Sequence, residues 1–568
     1  MAFQLSPGVN VSEIDLTTVV PAVLTTAGAF AGTFNWGPAD KITLVDSELT
    51  LAKVFGKPDS NTAVSFFTCA NFLAYGNNLS VVRAIGANSY NATGDTSVQI
   101  KNEDVYEDSY LNNDNENTYG AFASRYAGEL GNSLKISVCS NTDQFDNWSW
   151  KNYFNGAPGT SQYANVVGGS DDEMHIAVID KDGLFTGTAN TVLETYSYVS
   201  KASDATLEGS TNYYKQVIFN DSQYIFAMDP VDYSNTSTSW GSTAAGTTFE
   251  SVVNVDVTLT GGTNEAPSVT TEGDLYNAYD MFANKEMVDI SLILTGDADT
   301  TIQNHVISGI AASRADCVAF VSPPRDAVVN QTSSAAIGKV VTDTDSWLNT
   351  LDTYSSFAMA DSGWKYQFDK YNNVYRWIPL NGDIAGLCVY TDTVRDPWFS
   401  PAGLNRGQIK NCIKLAWNPS KTYRDILYKN GVNPVVSFPG QGVVLFGDKT
   451  FTNKPSAFDH INVRRLFIVL EKSIAEAAKY SLFELNDEFT RAQFVSLVTP
   501  FLRDVKGRRG IYDFKVVCDT TNNTPQVIDT NRFVGDIYIK PARSINYIQL
   551  NFVAVGTGVD FTTVVGAF

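Results

Sequence analysis

Phe458-Asp459-His460-Ile461-Asn462-Val463-Arg464-Arg465-Leu466-Phe467 opens the stretch on which the reading of this chain turns. From Asn462 onward, Leu466, Val469, Leu470, Ile474, Ala477 and Ala478 recur at helical spacing, while Glu471, Lys472, Glu476 and Lys479 fall elsewhere on the wheel. The spacing predicts a helix over residues 462–482 with one packing face and one polar face. A second helix is expected over residues 487–506, burying Phe494, Leu497, Phe501 and Leu502, with Pro500 kinking or interrupting it. It runs out into the densest basic cluster of the chain, Arg503, Lys506, Arg508 and Arg509. Residues 545–553 read as a strand, after which Gly556 and Gly558 loosen the chain. Residues 440–555 therefore read as a compact module, and residues 556–568 as an extended tail.

The other end of the chain repeats that extended character. Between residues 6 and 20, Val9, Val11, Ile14, Leu16, Val19 and Val20 alternate with polar residues, which suits a strand and not a helix. An unpaired strand exposes a row of amide donors and acceptors, so both ends look like strands donated to the edge of another sheet. The residues expected to make that exchange are Val9, Val11, Ile14, Leu16, Val559, Phe561 and Val564.

Between the two arms the pattern changes several times. Residues 23–85 alternate strand-like and helix-like pieces, with a buried helix expected over 66–75 and a strand over 79–85. Residues 88–117 are rich in Asn, Ser and acids, among them Glu103, Asp104, Glu107 and Asp108, and read as an exposed connection. Residues 119–322 are strand-rich and full of Gly, Ser and Thr, and Pro323-Pro324 marks a second boundary. The simplest organisation is α+β: a discontinuous core domain formed by the N- and C-terminal parts, with an inserted β-rich domain and extended terminal arms. The expected limits are an arm over 1–22, a core over 23–90 plus 325–555, an acidic linker over 91–118, an insertion over 119–324 and an arm over 556–568.

Composition narrows what such a chain can do. With 568 residues and 43% hydrophobic side chains, several folded domains are expected. A net charge of −21 argues against a surface built to neutralise nucleic-acid phosphates or an anionic membrane. Six scattered cysteines without a CxxC pair fit buried thiols better than disulfides or zinc. The first residues carry no basic or apolar leader, so cytosolic synthesis is expected. Residues 19–34 are broken by Pro21 and too short for the ~20 apolar residues of a membrane span. They read as a strand entering a core.

Several motifs come near to chemistry and stop short of it. Gly442-Val443-Val444-Leu445-Phe446-Gly447-Asp448-Lys449-Thr450 is one residue from a nucleotide-binding loop, but Asp448 puts a carboxylate where phosphates would lie. A hairpin is the better reading. Asp180-Lys181-Asp182-Gly183 lacks the remaining ligands of a calcium loop and reads as a turn. His175, His305 and His460 have no partner at metal-ligand spacing, and no catalytic signature stands out. The aromatic segment 364–377 reads as core and subunit contact in preference to a base-stacking platform. No catalytic residue, metal or cofactor is expected, with an enzyme whose site is assembled only by folding as the distant alternative.

The quoted run 458–467 resembles the tail sheath proteins of contractile-tailed phages, as does Val517-Cys518-Asp519-Thr520-Thr521-Asn522-Asn523-Thr524-Pro525. The likeness is to the T-even type and its relatives that infect cyanobacteria. It extends to Ser6-Pro7-Gly8, Phe34-Asn35-Trp36-Gly37-Pro38-Ala39, Tyr126-Ala127-Gly128-Glu129-Leu130-Gly131 and Lys365-Tyr366-Gln367-Phe368-Asp369. It thins out over residues 88–119, where larger members carry a further outer domain. The resemblance implies a structural subunit that polymerises, in hexameric rings stacked into a helix, around a tail tube. Contraction then drives the tube through the host envelope without a nucleotide or cofactor. It implies that both arms join sheets of neighbouring copies and that residues 119–323 face outward. It also implies that the partners are the tail tube, baseplate and tail terminator proteins, in a virion assembled in the host cytoplasm. Nucleic acid and membrane insertion are not expected. Arg503, Lys506, Arg508 and Arg509 are the candidate face toward the tube, against the plainer reading of cations at a helix C-terminus. The sheath of a related contractile injection machine is the alternative within the same architecture.

Overall fold

A computed structural model of the chain describes residues 20, 23–112, 118–231, 239–265 and 272–550. The chain begins with strands β1 (Gly28–Gly32), β2 (Thr43–Val45) and β3 (Leu79–Arg83), with helix α1 (Ala63–Leu73) before the third. It then leaves for an antiparallel sheet of β4 (Leu134–Cys139), β5 (Glu173–Asp180), β6 (Thr191–Ser200) and β7 (Val255–Thr258), in the order β7-β4-β5-β6. It returns through helix α2 (Glu272–Asp280) to strands β8 (Leu292–Leu294), β9 (Val318–Val321) and β10 (Ala358–Asp361). These, with β1 to β3 and the short β11 (Val432–Asn433), make one seven-stranded sheet in the order β11-β10-β9-β8-β1-β3-β2. All its pairings are parallel except β2 with β3.

A parallel sheet is covered on both faces, so its strands read as continuous apolar runs. Gly-Ala-Phe-Ala-Gly in β1 and Val-Ala-Phe-Val in β9 are buried at every position. Alternate side chains serve opposite cores. Ala29, Ala31 and Val82 face α2 and the helical turns of residues 300–351, whereas Phe30, Leu79 and Val81 face α1 and helix α3 (Asn381–Val394). Close packing explains Gly28, where a Cβ would stand 2.6 Å from the Phe72 ring.

Several expectations need correction. Residues 292–294 and 318–321, assigned above to the insertion, pair inside the seven-stranded sheet, so the insertion ends before β8 and not at residue 324. The acidic stretch after residue 90 is folded and not an exposed linker over its described part. Glu103–Tyr106 and Glu107–Leu111 form two helical turns; Asp104, Glu107 and Asp108 face outward and Glu103 pairs with Arg125, while Tyr106 and Leu111 close on Val98, Ile100 and Phe226. The strand expected over 545–553 lies earlier, at Asp536–Pro541, and the described residues 543–550 pair with no strand. Residues 1–19 and 551–568, which include all seven exchange residues, lie outside the described residues.

Candidate functional site

Residues 461–541 build the module that the sequence pattern foretold. Helix α4 (Ile461–Ala478) sets Leu466 and Leu470 against Phe494, Val498, Leu502 and Val505 of helix α5 (Glu488–Gly507). Strands β12 (Ile511–Val517) and β13 (Asp536–Pro541) form an antiparallel hairpin that leans Phe514, Val516, Ile537 and Ile539 on the same core. Among the described residues this hairpin pairs with no third strand, so both of its edges carry open backbone groups. Tyr512 and Tyr538 on it are exposed.

The first turns of α4 are buried all round, because they lie across the N-terminal ends of β1, β8 and β9. Arg465 there grips Asp392 of α3 through both guanidinium nitrogens, at 2.8 and 2.5 Å, with both side chains about 5% exposed. Burial pulls the Arg465 pKa down, but Asp392 outweighs that effect and holds it above its ordinary value. The same guanidinium reaches the Thr25 carbonyl at 3.4 Å, and Ser291 donates to the Leu24 carbonyl at 2.9 Å. These contacts fix the root from which the N-terminal arm departs.

The C-terminal arm is rooted on the same helix. Asn462 donates to the Ala542 carbonyl at 3.4 Å, and Asn546 donates to Asp448 at 3.2 Å and lies 3.0 Å from Nε2 of His460, the residue that precedes α4. Ser544 donates to the second oxygen of Asp448 at 2.8 Å. Beyond this clamp Tyr547, Ile548 and Leu550 are fully in solvent. Sequence reasoning missed the clamp, since its residues are dispersed along the chain and none has a distinctive neighbourhood.

All four basic residues at the end of α5 are exposed, though not all are free. Lys506 pairs with Asp513 at 3.0 Å, and Arg508 pairs with Asp396 and with Asp504 while lying 5.0 Å over the Trp398 ring. Arg503 and Arg509 make no ion pair with a described residue. At the opposite end of α5, Tyr480, Leu482, Phe483, Leu485 and Phe489 form an exposed apolar tip. An apolar group of this kind marks a contact surface. Its signal in the sequence was the Phe483 and Leu485 that continue beyond the helical stripe.

The motifs near to chemistry are structural. Gly442–Leu445 pairs with Val435–Phe438 in a hairpin, and Asp448 serves the clamp. Asp180 closes its own turn by accepting from Phe185, Thr186 and Ser133. His175 is buried between Phe154 and the Gly156 carbonyl, and His305 pairs with Asp280 at 2.8 Å. Of the aromatic segment, Trp364 is core, donating to the Pro323 carbonyl, while Phe368 and Tyr375 are exposed.

In open parallel sheets the C-terminal ends of the strands are where ligands bind. Here the ends of β8, β9 and β10 are plugged. Asn381, at the start of α3, bonds Gly296 and Ser322, and Ser322 donates to buried Asp361 at 2.6 Å. Beside β3 a cleft of about 140 Å³ is lined by Arg83, Asn264 and Glu265. Arg83 is turned away from ligand duty, for it donates to the carbonyls of Phe34, Gly37 and Ala127 and to Asn264, tying the sheet to the insertion. Burial lowers its pKa to about 9. Among the described residues no group of three His, Cys, Asp or Glu side chains could hold a metal, and all six cysteines are free thiols.

Comparison with known proteins bears on what such a module does. Family models match for the phage tail sheath C-terminal domain over residues 453–554, for the phage tail sheath protein central domain over 268–451 and for the tail sheath protein Gp18 domain III N-terminal region over 25–84. The tail sheath protein of Enterobacteria phage T4 is 35% identical over 99% of both chains. That of Vibrio phage KVP40 is 34% identical over 99% of this chain and 100% of its own. Among solved structures, the sheath tail protein Lin1278 of Listeria innocua shares the fold at a TM-score of 0.53 and 12% identity, over 92% of this chain and 96% of its own. The sheath of an extracellular contractile injection system in its contracted state shares it at 0.51 and 12%, over 97% and 98%.

Proposed function

The chain belongs to the phage tail sheath family, and on that premise we propose how its parts divide the work. It is a structural subunit of a contractile tail sheath, a component of the virion tail. Copies are joined by their arms: Val9, Val11, Ile14 and Leu16 of one copy, and Val559, Phe561 and Val564 of another, add as strands to the two open edges of a neighbour's β12–β13 hairpin. The observation that carries this reading is that helix α4 anchors both arm roots, through Arg465 to Thr25 and through His460 to Asn546, beside a hairpin whose two edges are unpaired among the described residues.

Magnitudes favour arms that hold while bodies move. A buried hydrogen bond nets ~0.5–1.5 kcal/mol and a buried apolar side chain ~1.5–3 kcal/mol, so a short added strand is worth several kcal/mol. An exposed ion pair is worth only ~0–1 kcal/mol. Globular bodies can therefore rotate past one another, exchanging weak polar contacts, without the mesh coming apart. That motion forces a tail tube through the host envelope. A head-to-tail contact that does not close gives a helical sleeve.

Arg503, Lys506, Arg508 and Arg509 face the tube, where numerous weak charge contacts hold the extended sleeve and release it. Baseplate and terminator proteins cap the sleeve, which is built in the host cytoplasm, and no step is enzymatic. The test is a chain lacking residues 1–19 and 551–568. It is expected to fold, by circular dichroism, and to give no cylinders by electron microscopy. Normal cylinders that still shorten on triggering would end this reading.

A further inference from the structure

Most of the net charge of this protein lies on one inserted segment. Residues 84–271, the segment between β3 and α2, hold 24 of the 61 acidic and 7 of the 40 basic side chains, so −17 of the net charge of −21 falls on them. The rest of the chain carries only −4. Folding sharpens the asymmetry: among the described residues of that segment twelve acids are exposed and no base. Arg125, Lys201 and Lys215 are buried instead, Arg125 on Glu103 and Lys201 on backbone carbonyls.

The acidic body and the arm roots lie at opposite ends of the parallel sheet. The insertion is tied to the C-terminal end of β3, where Arg83 holds Ala127 and Asn264. The arm roots gather at the N-terminal ends of β1, β8 and β9, where α4 meets Thr25, Ser291 and Val318. A mesh knitted at one end of the sheet leaves the acidic body on the far side from the joined layer. Repeated in every copy, it gives the assembled sleeve a dense anionic coat over a nearly neutral frame.

We infer that this coat is an electrostatic spacer: it keeps assembled sleeves from adhering side by side through their otherwise nearly neutral bodies. Chains of near-zero net charge associate, and like charge keeps particles apart over about a Debye length, ~10 Å at 0.1 M salt. Exposed apolar side chains such as Val166, Leu184 and Val253 stud the same body and would adhere without it. The inference rests on the reading that the arms join copies at the α4 end.

The experiment uses cylinders assembled from the full chain and follows lateral bundling by light scattering and electron microscopy. Wild-type cylinders are expected to stay dispersed at low salt, where the Debye length is ~30 Å, and to bundle reversibly as salt approaches ~1 M and it falls to ~3 Å. A variant carrying D95N, E107Q, D108N, D143N, E208Q and D221N is expected to bundle at a several-fold lower salt concentration. An equal number of exposed acids neutralised within residues 292–550 is expected to leave the threshold where it was. A threshold that moves equally in both variants, or in neither, overturns the inference. Should the first variant not assemble, wild-type cylinders that remain dispersed at ~1 M salt overturn it alone. Failure of wild type to form cylinders at all would instead count against the arm-exchange reading.

Discussion

Arg465 and Asp392 form a bidentate ion pair between two helices 73 residues apart in the chain, and the same arginine reaches the backbone of Thr25. The pair is a joint between three segments: α3, α4 and the root of the N-terminal arm. Both side chains are about 5% exposed, so neither charge can be left alone cheaply.

Removing one partner of a buried pair typically costs ~3–5 kcal/mol, while replacing both by apolar side chains is often neutral. Arg465→Met should therefore loosen this joint by about that amount, with Asp392→Leu added to it restoring most of the loss. Hydrogen exchange at residues 23–27 and in the first turns of α4 is the measurement. Equal exchange in the single variant and wild type would show that the joint is held by packing instead.

The clamp on the other arm makes a separate prediction. Asp448 accepts from Ser544 and Asn546, and hydrogen bonds to a charged group contribute ~1.5–3 kcal/mol each. Asp448→Ala should free residues 543–550, raising the rate of tryptic cleavage after exposed Arg543 at least tenfold without loss of the rest of the fold. An unchanged cleavage rate would mean that the C-terminal arm is already free in wild type.

How far the sequence could go is clear from these same elements. Spacing alone placed α4 and α5 within a few residues, because amphipathic periodicity is a local signal. Pro500 did not break α5: it is exposed, as is Ser496, whose carbonyl loses its helical donor and faces water. The three residues of β8 could not be assigned to a sheet by periodicity, since a short buried strand looks the same in either domain. The acids at residues 103–108 masked a folded turn because composition reports the outer face, and only Tyr106 and Leu111 carry the inner one into the core. The arm roots were illegible for a plainer reason. Arg465 and Thr25 are 440 residues apart, and His460 and Asn546 are 86 apart.

The plug at the strand ends gives a pH signature. Burial raises the Asp361 carboxyl from 3.8 to about 8, while hydrogen bonds from Ser322 and Gly363 act against the rise. The folded state therefore holds a proton that the unfolded chain has lost between those values. Stability from this group is fully present below about pH 3.8, falls as pH rises, and is gone above about pH 8. Asp361→Asn should abolish that slope. The check is the difference between variant and wild-type urea midpoints, which should favour the variant increasingly from pH 5 to pH 8; a flat difference would show that Asp361 is ionised in the native protein.

The basic end of α5 allows a structural role to be separated from a binding role. Arg508 is held by Asp396 and Asp504 and lies over Trp398, so its reversal to Glu should weaken the junction of α5 with residues 396–398, which follow α3, in the isolated subunit. Among the described residues Arg503 and Arg509 have no such partner, and the R503E/R509E variant should unfold like wild type. If these two face an acidic tube, the same variant should fail to coat tubes at low salt. Each lost contact is worth only ~0.2–1 kcal/mol, but it is repeated in every copy of the sleeve. The deficit should be read by counting coated tubes, and it should shrink as salt screens the wild type too. Full coating by R503E/R509E at low salt would leave the cluster as no more than cations settled on a helix C-terminus.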